Sequence, residues 1–185
     1  MECIKKLIII RGLPFTGKSF RAKQLLEEAK ENGVQGVIFS TDEYWYTILK
    51  PDKPDEYSFN PHFLADAHRW NKQRAQRQIE LGHPFIIIDN TNTTAAEPNP
   101  YVTHALYQDY KISIEEPTSE RWYVIRELLL NKRRNSDELK KWAAKLAEGS
   151  KETHNVPQWS IEKMMWRWQC NLTVEQIVEA KPFDF

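Results

Sequence analysis

The chain has 185 residues, 41% of them apolar, and its 26 lysines and arginines balance its 26 aspartates and glutamates. That length and apolar share support one well-cored domain, and the zero net charge excludes an overall field drawing the protein to nucleic acid or to an anionic membrane. Any nucleic-acid contact must then come from a local basic patch.

Met1 to Lys6 leads into only four strongly apolar residues, Leu7 to Ile10, too few for a signal-peptide core or a membrane span, so no membrane association is expected. Cys3 and Cys170 lie far apart and frame neither a zinc site nor a disulfide, which points to a reduced, intracellular setting, cytoplasmic or nuclear. Leu7 to Ile10 reads as a strand buried on both faces. It enters a loop, Gly12 to Ser19, followed by helical spacing from Ser19 to Leu26 that Asn32-Gly33 ends. Gly36 to Phe39 reads as a second buried strand, stopping at Ser40-Thr41-Asp42. A Pro- and Asp-rich loop, Lys50 to Asp55, precedes a long helix opened by Asn60-Pro61 and ending near Gly82. On that helix Leu64, His68, Asn71, Ala75 and Ile79 share a face, and His68 with Asn71 is expected to be a structural pair tying down the Asn90–Asn92 loop. Pro84 to Asp89 is a third buried strand, a helix follows around Tyr101–Tyr107, then a strand at Lys111–Ile114 and a helix from about Arg121 to Asn131.

Strands alternating with helices predict a parallel sheet with right-handed crossovers, and ligands in such sheets collect beyond the carboxyl ends of the strands. Polar clusters stand at those ends: Gly12–Ser19, Ser40–Asp42 and Asp89–Asn92. Gly12-Leu13-Pro14-Phe15-Thr16-Gly17-Lys18-Ser19 satisfies the G-x-x-x-x-G-K-[ST] pattern between a strand and a helix. Gly12, Pro14, Phe15, Thr16, Gly17, Lys18, Ser19 and Phe20 are the expected nucleotide cradle, with consecutive backbone N–H groups of the loop pointing inward at phosphate oxygens. Lys18 would bridge β- and γ-phosphates of ATP, and the Ser19 hydroxyl would ligate Mg²⁺. Phe15 stands where glycine is common; if the backbone there has positive φ, it costs roughly 1–2 kcal/mol. Switch-type D-x-x-G and N-K-x-D motifs are absent from the places a GTPase would carry them. Asp42 is the best-placed base for an alcohol acceptor, and a helix cap is an equal reading from the motif alone.

"RGLPFTGKS", "FSTDEYW", "FNPHFLADAHRWNKQRA", "PFIIIDNTN", "EEPTSERW" and "ELLLNKRRNS", in this order, resemble the polynucleotide-kinase-like P-loop family. The likeness runs from about Leu7 to Met165 and is strongest to the kinase domain of the NEDD-four-binding-protein-two-like proteins. Phage-type polynucleotide 5′-kinases are similar at the loops, and the N-terminal domain of cyclic-nucleotide phosphodiesterase is a further relative. The resemblance implies an α/β fold of the P-loop NTPase type, a three-layer sandwich with a central parallel sheet and a helical lid. It implies ATP and Mg²⁺ as nucleotide and metal, and a nucleic-acid 5′-hydroxyl, DNA or RNA, as acceptor. Asp42 takes the role of base, and Thr41, Trp45, Asn90, Thr91, Asn92 and Arg133 fall on the acceptor side. The lid arginine falls on Arg134, or on Arg133 if the gap lies differently. Asp89 joins Ser19 as the metal-side acid, displaced by one from the phage-type position, which Asn90 holds. Trp45 replaces a basic residue of the phage-type enzymes and either stacks on a base or packs beneath.

A single domain, residues 1–185, is expected, with 132–160 as an enlarged lid. It contains an amphipathic helical stretch, Asp137 to Glu148, then a Gly-Ser-Lys-Glu-Thr-His-Asn linker and a further helix through Ile161, Met164 and Met165. A small-alcohol or nucleoside kinase, and a nucleotide-binding adaptor in which Phe15 and Phe20 record lost catalysis, are the rival readings.

Overall fold

The computed structural model describes residues 4–48 and 57–182; Cys3 and the Lys50–Asp55 loop lie outside the described residues. Four strands, β1 (Lys6–Ile10), β2 (Gly36–Phe39), β3 (Phe85–Asp89) and β4 (Lys111–Glu115), form one parallel sheet in the order β2-β3-β1-β4. β1 and β3 are the inner strands, in register from Lys6 opposite Phe85 to Ile10 opposite Asp89. Their isoleucines are inaccessible on both faces because each face is covered by helices.

The alternation of side chains divides the core. Leu7, Ile9, Ile86 and Ile88 meet α3 (Leu64–Glu80) and α4 (Asn99–Tyr107) through Ala75, Ile79 and Val102. Ile8, Ile10 and Ile87 meet Ala22 and Leu25 of α1 (Lys18–Glu31) on the other side. This is the expected three-layer α/β sandwich of a P-loop NTPase. A short α2 (Glu43–Thr47) follows β2, and a 3₁₀ turn, Pro61–Phe63, capped by Asn60 Oδ1 on the His62 N–H at 3.0 Å, leads into α3. The inward face of α3 is Ala67, Asn71, Ala75 and Ile79. Leu64, expected on that face, is 40% exposed, because the first turn of α3 precedes the point where the helix meets its neighbours.

The helical region forms a separate core. α5 (Glu120–Leu130), α6 (Ser136–Gly149) and α7 (Gln158–Arg167) bury Trp122, Ile125, Leu129, Leu139, Ala143, Leu146, Ile161 and Met165 together with Leu13 of the phosphate loop. Trp122 and Trp168 close it edge to face at 5.0 Å. α7 begins before residue 160 and runs past it, so this helix extends beyond the 132–160 segment expected as the lid. The chain then returns to the sheet as α8 (Val174–Glu179), whose start is fixed by a reciprocal Thr173–Gln176 capping box. Asn99 donates to the carbonyls of Ile177 at 2.8 Å and Ala180 at 3.0 Å, fastening α8 to α4.

Candidate active site

β1 ends at Ile10, and the chain turns at once through Arg11 and Gly12. The Gly12 N–H donates to the Thr91 carbonyl at 3.0 Å, tying the loop to the chain leaving β3. A Cβ on Gly12 would come 2.9 Å from Pro117 Cγ and 3.0 Å from Lys18 Cγ, so the close approach of two loops requires glycine here. Gly17 (φ 96°) and Phe15 (φ 59°) both adopt left-handed backbone, which curls the loop in front of the N-terminus of α1. Thr16 Oγ1 donates to the Leu13 carbonyl at 2.7 Å, and Lys18 Nζ donates to the same carbonyl at 3.1 Å. The Thr16 carbonyl accepts Ser119 Oγ at 2.7 Å and the Phe15 carbonyl accepts Arg121 Nη1 at 3.3 Å. The loop is thus braced from the start of α5.

At the end of β3, Asp89 is buried and hydrogen-bonded to the Ser19 hydroxyl. Burial pushes its carboxyl up, against the opposing pull of the Lys18 charge and the Ser19 bond. Burial likewise pushes the Lys18 ammonium down, with the carboxylates of Asp89 and Asp42 opposing. Asp89 Oδ1 has no hydrogen-bond partner among the described residues. An unpartnered buried carboxylate oxygen beside a hydroxyl is a hard-oxygen pair suited to Mg²⁺, which keeps several of its own waters.

Across the cleft stands Asp42. It occupies the N-terminal flank of α2 with helical backbone (φ −63°, ψ −24°), and its side chain makes no cap hydrogen bond. The helix-cap reading of the motif therefore has no hydrogen bond behind it. Asp42 Oδ1 accepts the Tyr57 hydroxyl at 3.3 Å, and Oδ2 lies 3.7 Å from His154 Nδ1. Tyr57 sits between Tyr46, 5.2 Å away, and His154, 4.7 Å away, ring centre to ring centre. Burial, then the Asp42 charge, pushes the Tyr57 phenol upward. Ser19, Asp89 and Asp42 share with Lys23, Ser40 and His154 an open cleft of about 360 Å³.

Other expected acceptor residues serve the scaffold instead. Trp45 is 1% exposed, edge to face with Tyr44 at 5.3 Å and Phe59 at 5.0 Å, and has no free face for a base. Asn92 is buried with its amide donating to the Ile10 carbonyl at 2.6 Å, and its own carbonyl accepts Arg11 Nε at 3.1 Å. Asn90 Oδ1 accepts the Thr41 N–H at 3.0 Å, joining the ends of β2 and β3. The tie expected of Asn71 runs through Tyr101: Asn71 Nδ2 donates to the Tyr101 hydroxyl at 3.3 Å, which also bonds Asn90. His68 Nδ1 lies 3.5 Å from Thr41 Oγ1, and burial holds its imidazole down to about 4. Phe20 is 65% exposed on α1, and Arg133 and Arg134 are exposed on the turn before α6 and are not among the residues that line the cleft. Lys23, Tyr46, Tyr57 and His154 were not singled out from the sequence. The signal available was an aromatic pair flanking the Asp42 motif and a lone histidine in the linker.

The profile of a family described as an AAA domain matches residues 7–145. NEDD4-binding protein 2 of Homo sapiens is 40% identical over 117 residues, covering 63% of this chain but only 6% of that protein's length. Among solved structures, a chain of the Pnkp1/Rnl/Hen1 RNA repair complex superposes with a TM-score of 0.52 at 15% identity, over 90% of this chain and 45% of the other; this is a likeness of fold. A chain of the PezAT chromosomal toxin–antitoxin system of Streptococcus pneumoniae gives a TM-score of 0.48 at 15% identity, over 94% and 81% of the two chains.

Proposed function

The chain belongs to the AAA-domain family of P-loop, kinase-like proteins, and from that premise we propose that it transfers the γ-phosphate of ATP to the 5′-hydroxyl of a nucleic acid. The observation that carries this reading is Asp42, a carboxylate engaged in no cap, standing across one cleft from Ser19 and Asp89. Two comparisons add support: the identity to NEDD4-binding protein 2, and the fold shared with a chain of an RNA repair complex.

In this reading the loop from Gly12 to Ser19 holds the triphosphate through backbone N–H groups and the N-terminus of α1. Lys18 leaves the Leu13 carbonyl for phosphate oxygen, and the anion favours its charged form against burial. Ser19 and Asp89 hold Mg²⁺, which when bound neutralises charge on the phosphate oxygens. Asp42 accepts the proton of the acceptor hydroxyl as that oxygen bonds to the γ-phosphorus and the bond to ADP breaks. Arg133 and Arg134 reach the transferring phosphate only by a swing of the lid. A reduced, intracellular setting belongs to the same reading. Cys170 is a free thiol, and no helix among the described residues is long and apolar enough to cross a membrane.

The test is ATP-dependent labelling of matched 5′-hydroxyl DNA and RNA oligomers beside a panel of small alcohols. Asp42→Ala is expected to bind ATP and transfer nothing; full transfer by that variant would remove Asp42 as base. Labelling of small alcohols alone would select the small-acceptor kinase, a reading that the zero net charge favours. ATP binding without turnover on any acceptor would select the adaptor.

A further inference from the structure

The lid helix has two ends, and one of them faces the cleft. α6 is 14 residues long and spans about 20 Å. Arg133 and Arg134 precede its first residue on an exposed turn, where the Arg134 N–H donates to Asn131 Oδ1 at 3.4 Å. The opposite end, Gly149, lies against the Phe15 ring of the phosphate loop. The linker expected after it is an ordered turn built on Ser150, which is buried. Ser150 Oγ donates to the Ala147 carbonyl at 2.9 Å and accepts the Val156 N–H at 3.0 Å. The Ser150 carbonyl accepts the N–H of Thr153 at 3.0 Å and of Asn155 at 2.7 Å, and Asn155 takes left-handed backbone (φ 45°). His154 is held between those two residues.

We infer that His154 is the group by which the lid reaches the reaction centre, acting as a positioning residue on Asp42; this rests on the reading of Asp42 as acceptor base. Among the described residues, His154 is the part of the lid that lines the cleft. Its Nδ1 approaches Asp42 Oδ2 at 3.7 Å, longer than a hydrogen bond and an ion pair only when the imidazole is protonated. Its ring lies on Tyr57, tilted by 35°, and the Tyr57 hydroxyl holds Asp42 Oδ1. Both oxygens of one half-exposed carboxylate are therefore engaged, one from the chain preceding α3 and one from the lid. An isolated exposed His–Asp pair would contribute little. Here the aromatic stack and the Ser150 turn restrict the imidazole at the one lid position from which it meets the base. Lid closure then orders Asp42 at the moment the cleft is covered, which is the geometry proton removal needs.

The experiment has two independent readouts on the full chain. In thermal unfolding, His154→Ala, Asp42→Ala and the double variant form a cycle, and a contact makes their melting shifts non-additive. In phosphate transfer to a 5′-hydroxyl oligomer, His154→Ala should lower kcat by roughly tenfold or more with the KM for ATP unchanged, and His154→Gln should recover part of it. Additive melting shifts, or an undiminished kcat in His154→Ala, would overturn the inference. So would loss of transfer in Arg133→Ala/Arg134→Ala with His154→Ala unaffected. Non-additive melting with no transfer by the unaltered protein would uphold the contact and overturn the kinase reading instead.

Discussion

The ring of Phe15 fills the space that any side chain at residue 149 would need: a Cβ built on Gly149 overlaps Phe15 Cε1 and Cδ1 and comes within 2.7 Å of Cζ. On the same ring sits the Arg121 guanidinium, 4.6 Å from its centre. Phe15 keeps left-handed backbone at φ 59°, a strain of about 1–2 kcal/mol that its contacts with α6 and Arg121 offset. The residue that departs from the usual loop is thus the clasp between the loop and α6.

Gly149→Ala therefore forces the clasp apart. Overpacking at this point should cost about 1–3 kcal/mol in chemical denaturation. Phe15→Ala combined with Gly149→Ala should recover most of the loss, since it removes the atoms that clash. A double variant no better than Gly149→Ala alone would show that the ring is not what excludes a side chain there.

Asp89→Asn keeps the shape at the end of β3 but removes the charge beside Ser19. The Mg²⁺ concentration giving half-maximal ATP turnover is expected to rise by about 10–100-fold, while Mg²⁺-free ADP binding holds. Ser19→Ala should move in the same direction. A Mg²⁺ dependence unchanged in both variants would remove this pair as the metal site.

His68 makes a prediction about acid. Its imidazole is held to about 4 in the folded chain by burial, against about 6.5 when unfolded. Between those values the unfolded state carries the proton and the folded state does not, so stability rises with pH across the window. Its share is fully present above pH 6.5 and is lost as pH falls towards 4, by up to about 3 kcal/mol. His68→Gln should flatten the stability profile between those limits in urea melts. An equally steep profile in the variant would assign the acid sensitivity to other groups.

The sheet and the phosphate loop were legible because buried parallel strands are unbroken apolar runs and because a phosphate loop has fixed spacing between such a strand and a helix. Asp42 was legible by its place at the end of β2. The polar residues after β3 fit two roles that the sequence does not separate. Side chains at strand ends bind ligands or knit neighbouring loops, and the residue types are the same; Asn92 on Ile10 and Asn90 on Thr41 do the second. Trp45 was undecided for the same cause, since an aromatic ring suits a core as well as a base. Tyr57 and His154 come from irregular chain with no period to place them. The approach of His154 to Asp42 depends on the Ser150 turn, which the sequence presents only as a linker.

Arg11 supplies the last prediction. It precedes the phosphate loop, is 1% exposed, and stands as a strut between the loop and the chain after α7. Nε donates to the Asn92 carbonyl at 3.1 Å, and Nη2 to the carbonyls of Thr93 at 3.3 Å and Gln169 at 2.7 Å. The guanidinium lies 4.1 Å from the Trp168 ring centre, with Glu116 at 3.7 Å as countercharge. Burial lowers it to about 10, so it remains charged at neutral pH. Arg11→Lys preserves that charge but loses the planar fork, and one ammonium cannot serve carbonyls on two segments while lying flat on the indole. A loss of about 2–4 kcal/mol is expected in urea denaturation, larger than for Lys23→Ala on the exposed face of α1. Arg11→Met should lose at least as much, because it leaves the buried carbonyls of Asn92 and Thr93 and the part-buried carbonyl of Gln169 short of a donor. Stability unchanged by Arg11→Lys would mean that charge alone, rather than the fork, joins the phosphate loop to the end of the helical region.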